Sequence, residues 1–99
     1  KAIIPTAFKT QLNEAADFLL TNPQAKAFIS GHTDNEGNAQ YNFQLGEQRA
    51  HAVMEYFLSA GVSYQQLSII SFGETKPLQT SESSYAKAKN RRVEVMVVR

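Results

Sequence analysis

The sequence predicts an α+β domain of two layers, two helices on one face of a mixed sheet, and three observations carry that prediction. Apolar residues recur at helical spacing twice, as Phe8, Leu12, Ala15, Leu19 and as Phe43, Ala50, Met54, Phe57. Three short apolar runs, each set off by turn-forming residues, read as strands. Ninety-nine residues with 42% hydrophobic content suffice for one core and are too few for two. With the order helix, strand, helix, strand, strand, laying both helices on one sheet face is the economical solution.

In chain order, a short apolar opening over 1–4 leads to Pro5, which suits a first helical turn, and a helix is expected from Thr6 to Leu20. Thr21, Asn22 and Pro23 break it. Ala25 to Ser30 reads as a strand running into Gly31. The second helix spans Gln40 to Ala60 and stops at Gly61, a residue suited to the left-handed C-terminal cap. After a polar turn from Ser63 to Gln66, Leu67 to Phe72 reads as a buried strand. Gly73 to Ser84 is loop, with a helical turn at Tyr85 to Lys89. The last strand, Arg92 to Val98, alternates poorly, which predicts a central or doubly covered position.

A net charge of +1 gives no field that would favour nucleic acid or an anionic membrane as partner, so charge recognition must be local. With no cysteine there is neither a disulfide framework nor a thiolate metal site. No apolar run reaches the length of about 18 residues that a membrane span needs, and the chain opens on no signal-peptide pattern.

Chemistry concentrates between Gly31 and Arg49. Asp34 lies in the loop beyond the first strand, and Arg49 follows fifteen residues later, with Gly37 and Asn38 letting the chain turn between them. On the helix, Asn42 and Arg49 fall within about 20° of each other, flanked by Leu45 and Gly46. That face carries an amide, a guanidinium, an apolar side chain and a gap, on the rim of the core. An acid and a guanidinium so spaced suit a zwitterion, the acid taking an ammonium and the guanidinium a carboxylate. On the residues alone, capping its own loop is the more ordinary role for Asp34.

GHTD, YN, LGEQRA, FGE-x-x-P and a final NRRVEV, in that order across nearly the whole chain, resemble the peptidoglycan-binding domain of OmpA-like outer-membrane proteins. Within that family, YNFQLGEQRAHAVMEYF and VSYQQLSIISFGETKP are most similar to the peptidoglycan-associated lipoproteins. The resemblance implies a βαβαββ arrangement whose first strand precedes Lys1 and is missing from this chain. It implies non-catalytic binding of the peptidoglycan stem peptide through meso-diaminopimelate, in the periplasm and attached to the outer membrane through a segment absent from this chain. The residues it implies are Asp34, Arg49, Asn42 and Leu45, with Thr33, Gly31 and Asn90 beside them and Arg92 lining or bracing the pocket. No cofactor is implied. Two departures, Glu36 where related lipoproteins often carry Arg and Gln48 where the first of two arginines is common, make the rim less basic. They keep a second reading open, an envelope protein-interaction domain with Tol-type partners.

Other constellations fare worse. His32, Asp34 and His51 have no metal-ligand spacing, and His51 points opposite Asn42 on the helix wheel. A calcium loop starting at Asp34 would need its bidentate Glu where Leu45 stands. Asn90, Arg91 and Arg92 lack the aromatic platform of a nucleic-acid patch; in a strand the two arginines face opposite sides, so only one can look toward Asp34. No nucleophile with a base and no carboxylate pair marks an enzyme.

Overall fold

The structure is a computed structural model that describes residues 4–99; most of the apolar opening stretch lies outside them. Helix α1 (Thr6–Thr21) buries Leu12, Ala16 and Leu19 along one stripe and ends where the Asn22 amide side chain donates to the Phe18 carbonyl at 2.9 Å. Strand β1 (Lys26–His32) follows, then helix α2 (Ala39–Ser59). The Asn38 side chain caps α2 by accepting from the Tyr41 amide at 2.7 Å. Gly61, at φ +99°, takes the left-handed position beyond its end. A 3-10 turn (Tyr64–Gln66) leads into β2 (Leu67–Gly73), and α3 (Ser84–Asn90) precedes β3 (Val93–Val98).

The sheet is mixed, in the order β2-β1-β3, with β2 parallel and β3 antiparallel to β1. The core joins Leu12, Leu19, Ile29, Ala50, Val53 and Phe57 between the helices and the sheet. Among the described residues β3 is therefore an edge strand covered on one face, which corrects the central position expected for it. Val93, Val95 and Val97 face the helices, while Glu94, Met96 and Val98 face out. Met96 and Val98 are the apolar outliers that blurred the alternation.

The stripe of α2 also needs correction, because Phe43 is 46% exposed. The buried line is Asn42, Gly46, Ala50, Val53, Met54 and Phe57. Gly46 replaces a large side chain because α2 lies directly on β1 there: a Cβ on Gly31 would sit 1.8 Å from the Gly46 carbonyl oxygen, and one on Gly46 would sit 2.2 Å from Ser71 Oγ. Two glycines meeting backbone to backbone hold the helix close to the strand end. The β1–β2 register slips between Gly31 and His32, and this irregular end carries the loop with Asp34.

Candidate functional site

Three elements supply the site: the loop after β1, the first turns of α2, and the end of α3. The Thr33 amide donates to the Gly73 carbonyl at 2.9 Å, and its hydroxyl donates to the Asp34 carbonyl at 2.8 Å. Thr33 is buried and serves as a strut for the loop. Asp34, only 8% exposed, accepts from the Glu36 amide at 3.0 Å through Oδ1 and from Arg91 Nη1 at 2.7 Å through Oδ2. Burial pushes its carboxyl up, but the Glu36 amide and the Arg91 guanidinium overcome that effect, and the pKa ends below the usual carboxylate range. Asp34 is ionised at neutral pH.

Its ionic partner is Arg91, which sequence reasoning did not select. Arg92 takes another course: Nε donates to Glu94 at 2.7 Å and Nη2 to the Lys76 carbonyl at 2.9 Å. The strand starts at Val93, so Arg91 closes α3 and swings toward Asp34, whereas Arg92 shares the open sheet face with Glu94. Arg92 braces the 73–77 loop and is not the arginine bonded to Asp34, although it does line a cleft beside the Asp34–Arg91 pair. The signal was available in the parity of Val93, Val95 and Val97, since Arg91 belongs to that helix-facing set.

Arg49 reaches the same neighbourhood from α2, donating Nη1 to the His32 carbonyl at 2.8 Å. Burial and the nearby Arg91 lower its pKa, and Asp34 partly restores it; the guanidinium stays charged. Asp34 and Arg49 are thus brought within electrostatic reach of each other without a direct bond.

Asn42 is buried and its amide donates to the Asp34 carbonyl at 3.3 Å, the Glu36 carbonyl at 2.9 Å and Glu74 Oε1 at 2.8 Å. It is a brace for the loop rather than a free ligand group. Asn90, also buried, accepts from the Leu78 and Gln79 amides at 2.8 and 3.0 Å and donates to the Gln79 carbonyl at 2.9 Å, so it fixes a wall of the cleft that Asp34 also lines. Gly31 is pressed against Gly46 and has a packing role, and the expected gap at Gly46 is that same contact. Leu45, half-buried one turn before Arg49, lines neither of the two clefts that flank the Asp34–Arg91 pair. A latch crosses the loop: Lys87 donates to Glu36 at 2.9 Å, and Asn35 to Glu82 at 3.1 Å.

The clefts differ in charge. One, about 300 Å³, is walled by Thr33, Asp34, Glu74, Glu82 and Asn90. The other, about 370 Å³, is walled by Arg49, Arg91 and Arg92 with Phe8, Val53 and Val93. Carboxylates thus line one side of the Asp34–Arg91 pair, and guanidiniums set on an apolar floor line the other. His51 faces away from both, 3.8 Å from Glu55 on the outer side of α2.

A family model described as the OmpA family matches residues 1–91. The peptidoglycan-associated lipoprotein of Legionella pneumophila is 40% identical over 91 residues, which cover 92% of this chain and 52% of that protein. The peptidoglycan-binding protein ArfA of Mycobacterium tuberculosis is 35% identical over 96 residues, covering 97% and 29% respectively. The crystal structure of the peptidoglycan-associated lipoprotein from Burkholderia pseudomallei superposes with a TM-score of 0.93 at 30% identity, covering 96% of this chain and 80% of that one. The C-terminal domain of Helicobacter pylori MotB superposes at 0.85 with 26% identity, covering 98% and 76%. The chain spans about half the length of the curated lipoproteins it matches.

Proposed function

This chain belongs to the OmpA family, and on that premise we propose that its two clefts bind the stem peptide of peptidoglycan without catalysis, holding meso-diaminopimelate and so tethering the outer membrane or an envelope complex to the cell wall from the periplasm. The observation that carries the reading is the Asp34–Arg91 pair at 2.7 Å, set between a carboxylate-lined and a guanidinium-lined cleft. An ammonium and a carboxylate on one carbon form the complementary pair. The ligand's ammonium replaces Arg91 on Asp34, and the released Arg91 joins Arg49 on the ligand's carboxylate. Arg91 can make that move because its side chain is 44% exposed, against 10% for Asp34. The exchange trades one ion pair for two, each charged hydrogen bond contributing about 1.5–3 kcal/mol net. The ligand's methylenes lie on the apolar floor of Phe8, Val53 and Val93.

The test is binding to purified sacculi by Asp34→Ala and Arg49→Ala, each checked for folding by circular dichroism. Loss of one partner of a charge pair at a binding site costs about 2–5 kcal/mol, so both variants should fall out of the pull-down. Undiminished binding by both folded variants refutes the site. A second reading, contact with envelope proteins of Tol type, draws on a separate observation: the uncovered sheet face exposes Phe28, Ile70 and Met96. Ile70→Glu with Met96→Glu would then abolish partner capture and leave sacculus binding intact.

A further inference from the structure

His32 is a buried titratable group that the binding scheme does not use. It is 2% exposed, stacked on Phe72 with ring centroids 5.5 Å apart. Its Nε2 is 3.0 Å from Ser30 Oγ. Its Nδ1 is buried and has no hydrogen-bond partner, the sole such side-chain atom among the described residues. The backbone of the same residue is a junction of the site: its amide donates to the Arg92 carbonyl at 2.9 Å and its carbonyl accepts from Arg49 at 2.8 Å. Asp34 is two residues further on.

The charges around the ring disfavour a second proton. From β3 comes Glu94 and from the residue just before that strand Arg92, and the acid is already held by Arg92 at 2.7 Å. From the loop after β2 comes Lys76, whose ammonium lies 4.3 Å from the Phe72 ring centroid. From α2 comes Arg49, at the backbone carbonyl. A protonated ring would carry an N–H at Nδ1 with no acceptor, beside the cations of Arg92 and Lys76 and one engaged acid.

We propose that His32 is a positioning residue whose neutral ring holds the end of β1 in place for Arg49 and Asp34, so that protonation expels the ring, loosens both anchors and releases the ligand in mild acid. This inference rests on the cell-wall reading of the site. Burial foremost, then Arg92 and Lys76, lower the pKa of His32, with Glu94 opposing. The folded form therefore binds its proton less readily than the unfolded chain. The contribution of neutral His32 is complete above the unfolded value of about 6.5 and is lost as the pH falls through the lower folded value. Asp34, held below the usual carboxylate range, and the ammonium and carboxylate of an amino-acid ligand keep their charges at mildly acidic pH.

The experiment is calorimetric titration of wild type, His32→Gln and His51→Gln with a meso-diaminopimelate stem peptide between about pH 7.5 and about pH 5, alongside NMR of the wild-type His32 ring, the Asp34 amide and the Arg49 Nε–H. Wild type and His51→Gln should lose affinity as the pH falls through the value that the His32 ring resonances report, about tenfold per unit below it, while His32→Gln changes less than about twofold across the range. A flat wild-type profile, or the same acid loss in His32→Gln, overturns the inference. If wild type binds at no pH, the cell-wall reading fails and the NMR decides alone: Asp34 and Arg49 resonances that follow the ring's protonation support the switch, and unmoved resonances refute it.

Discussion

Replacing Gly31 with alanine tests how tightly α2 must lie on β1. The new Cβ would stand 1.8 Å from the Gly46 carbonyl oxygen and 2.7 Å from its carbonyl carbon, both backbone atoms with no rotamer to escape into. Reaching an ordinary contact of about 3.4 Å requires the helix to retreat on the order of 1.5 Å, which loosens Ala50 and Val53 against Ile29. Overpacking of this kind costs about 3 kcal/mol, the upper end of its usual range. For a domain of this size that lowers the melting temperature by about 12–24 °C, at about 4–8 °C per kcal/mol. Gly46→Ala should cost less, because its new Cβ meets the Ser71 hydroxyl more closely than any backbone atom, so that turning Ser71 off the Phe43 carbonyl and the Gly73 amide relieves most of the clash, and because alanine gains about 1 kcal/mol over glycine inside a helix. Thermal unfolding followed by circular dichroism reads both. A loss below about 4 °C for Gly31→Ala, or a larger loss for Gly46→Ala, would refute the close backbone contact and return Gly31 to a ligand-binding role.

Asn42→Ala removes an amide whose two N–H groups are shared among the Asp34 and Glu36 carbonyls and Glu74 and should lower unfolding free energy by about 2 kcal/mol in urea; a change under about 0.5 kcal/mol would show that the loop holds itself. Asn42→Asp should be worse, since it places a carboxylate against two carbonyls and Glu74. In acid, the depressed Asp34 pKa means that its stabilisation is present above the unfolded value of about 3.9 and disappears as the pH falls through the lower folded value. Urea midpoints of wild type and Asp34→Asn should therefore converge below that window and separate above it, whereas parallel curves would contradict an ionised, paired Asp34.

What the sequence disclosed follows the range of each signal. Helical spacing and turn residues are local, so α1, β1, α2 and β2 appear near their expected places, and Gly61 takes its left-handed conformation. Phe43 misled because period 3.6 finds apolar residues without knowing where the chain needs none; the helix meets the sheet at Gly46, and the neighbouring core position goes to the polar Asn42. Asp34 and Arg49 do converge on one neighbourhood, but the ion pair belongs to Arg91, whose direction depends on where α3 ends and β3 begins. His32 looked like a failed metal ligand, and its burial against Phe72, within the field of Lys76 and Arg92, is a tertiary fact with no local signature.

The central claim, that the guanidiniums read a carboxylate beside the ammonium Asp34 accepts, is tested most directly by calorimetry of the domain with matched stem peptides that end in meso-diaminopimelate or in lysine. Lysine keeps the ammonium and lacks the neighbouring carboxylate, so Arg49 and Arg91 would face no anion, and sites built for a hydrogen-bonding group discriminate strongly against ligands without it. The account predicts at least about tenfold tighter binding of the diaminopimelate peptide, a gap of about 1.4 kcal/mol, with the gap closed in Arg49→Lys because an ammonium cannot form the bidentate fork. Equal affinity for the two peptides would contradict it.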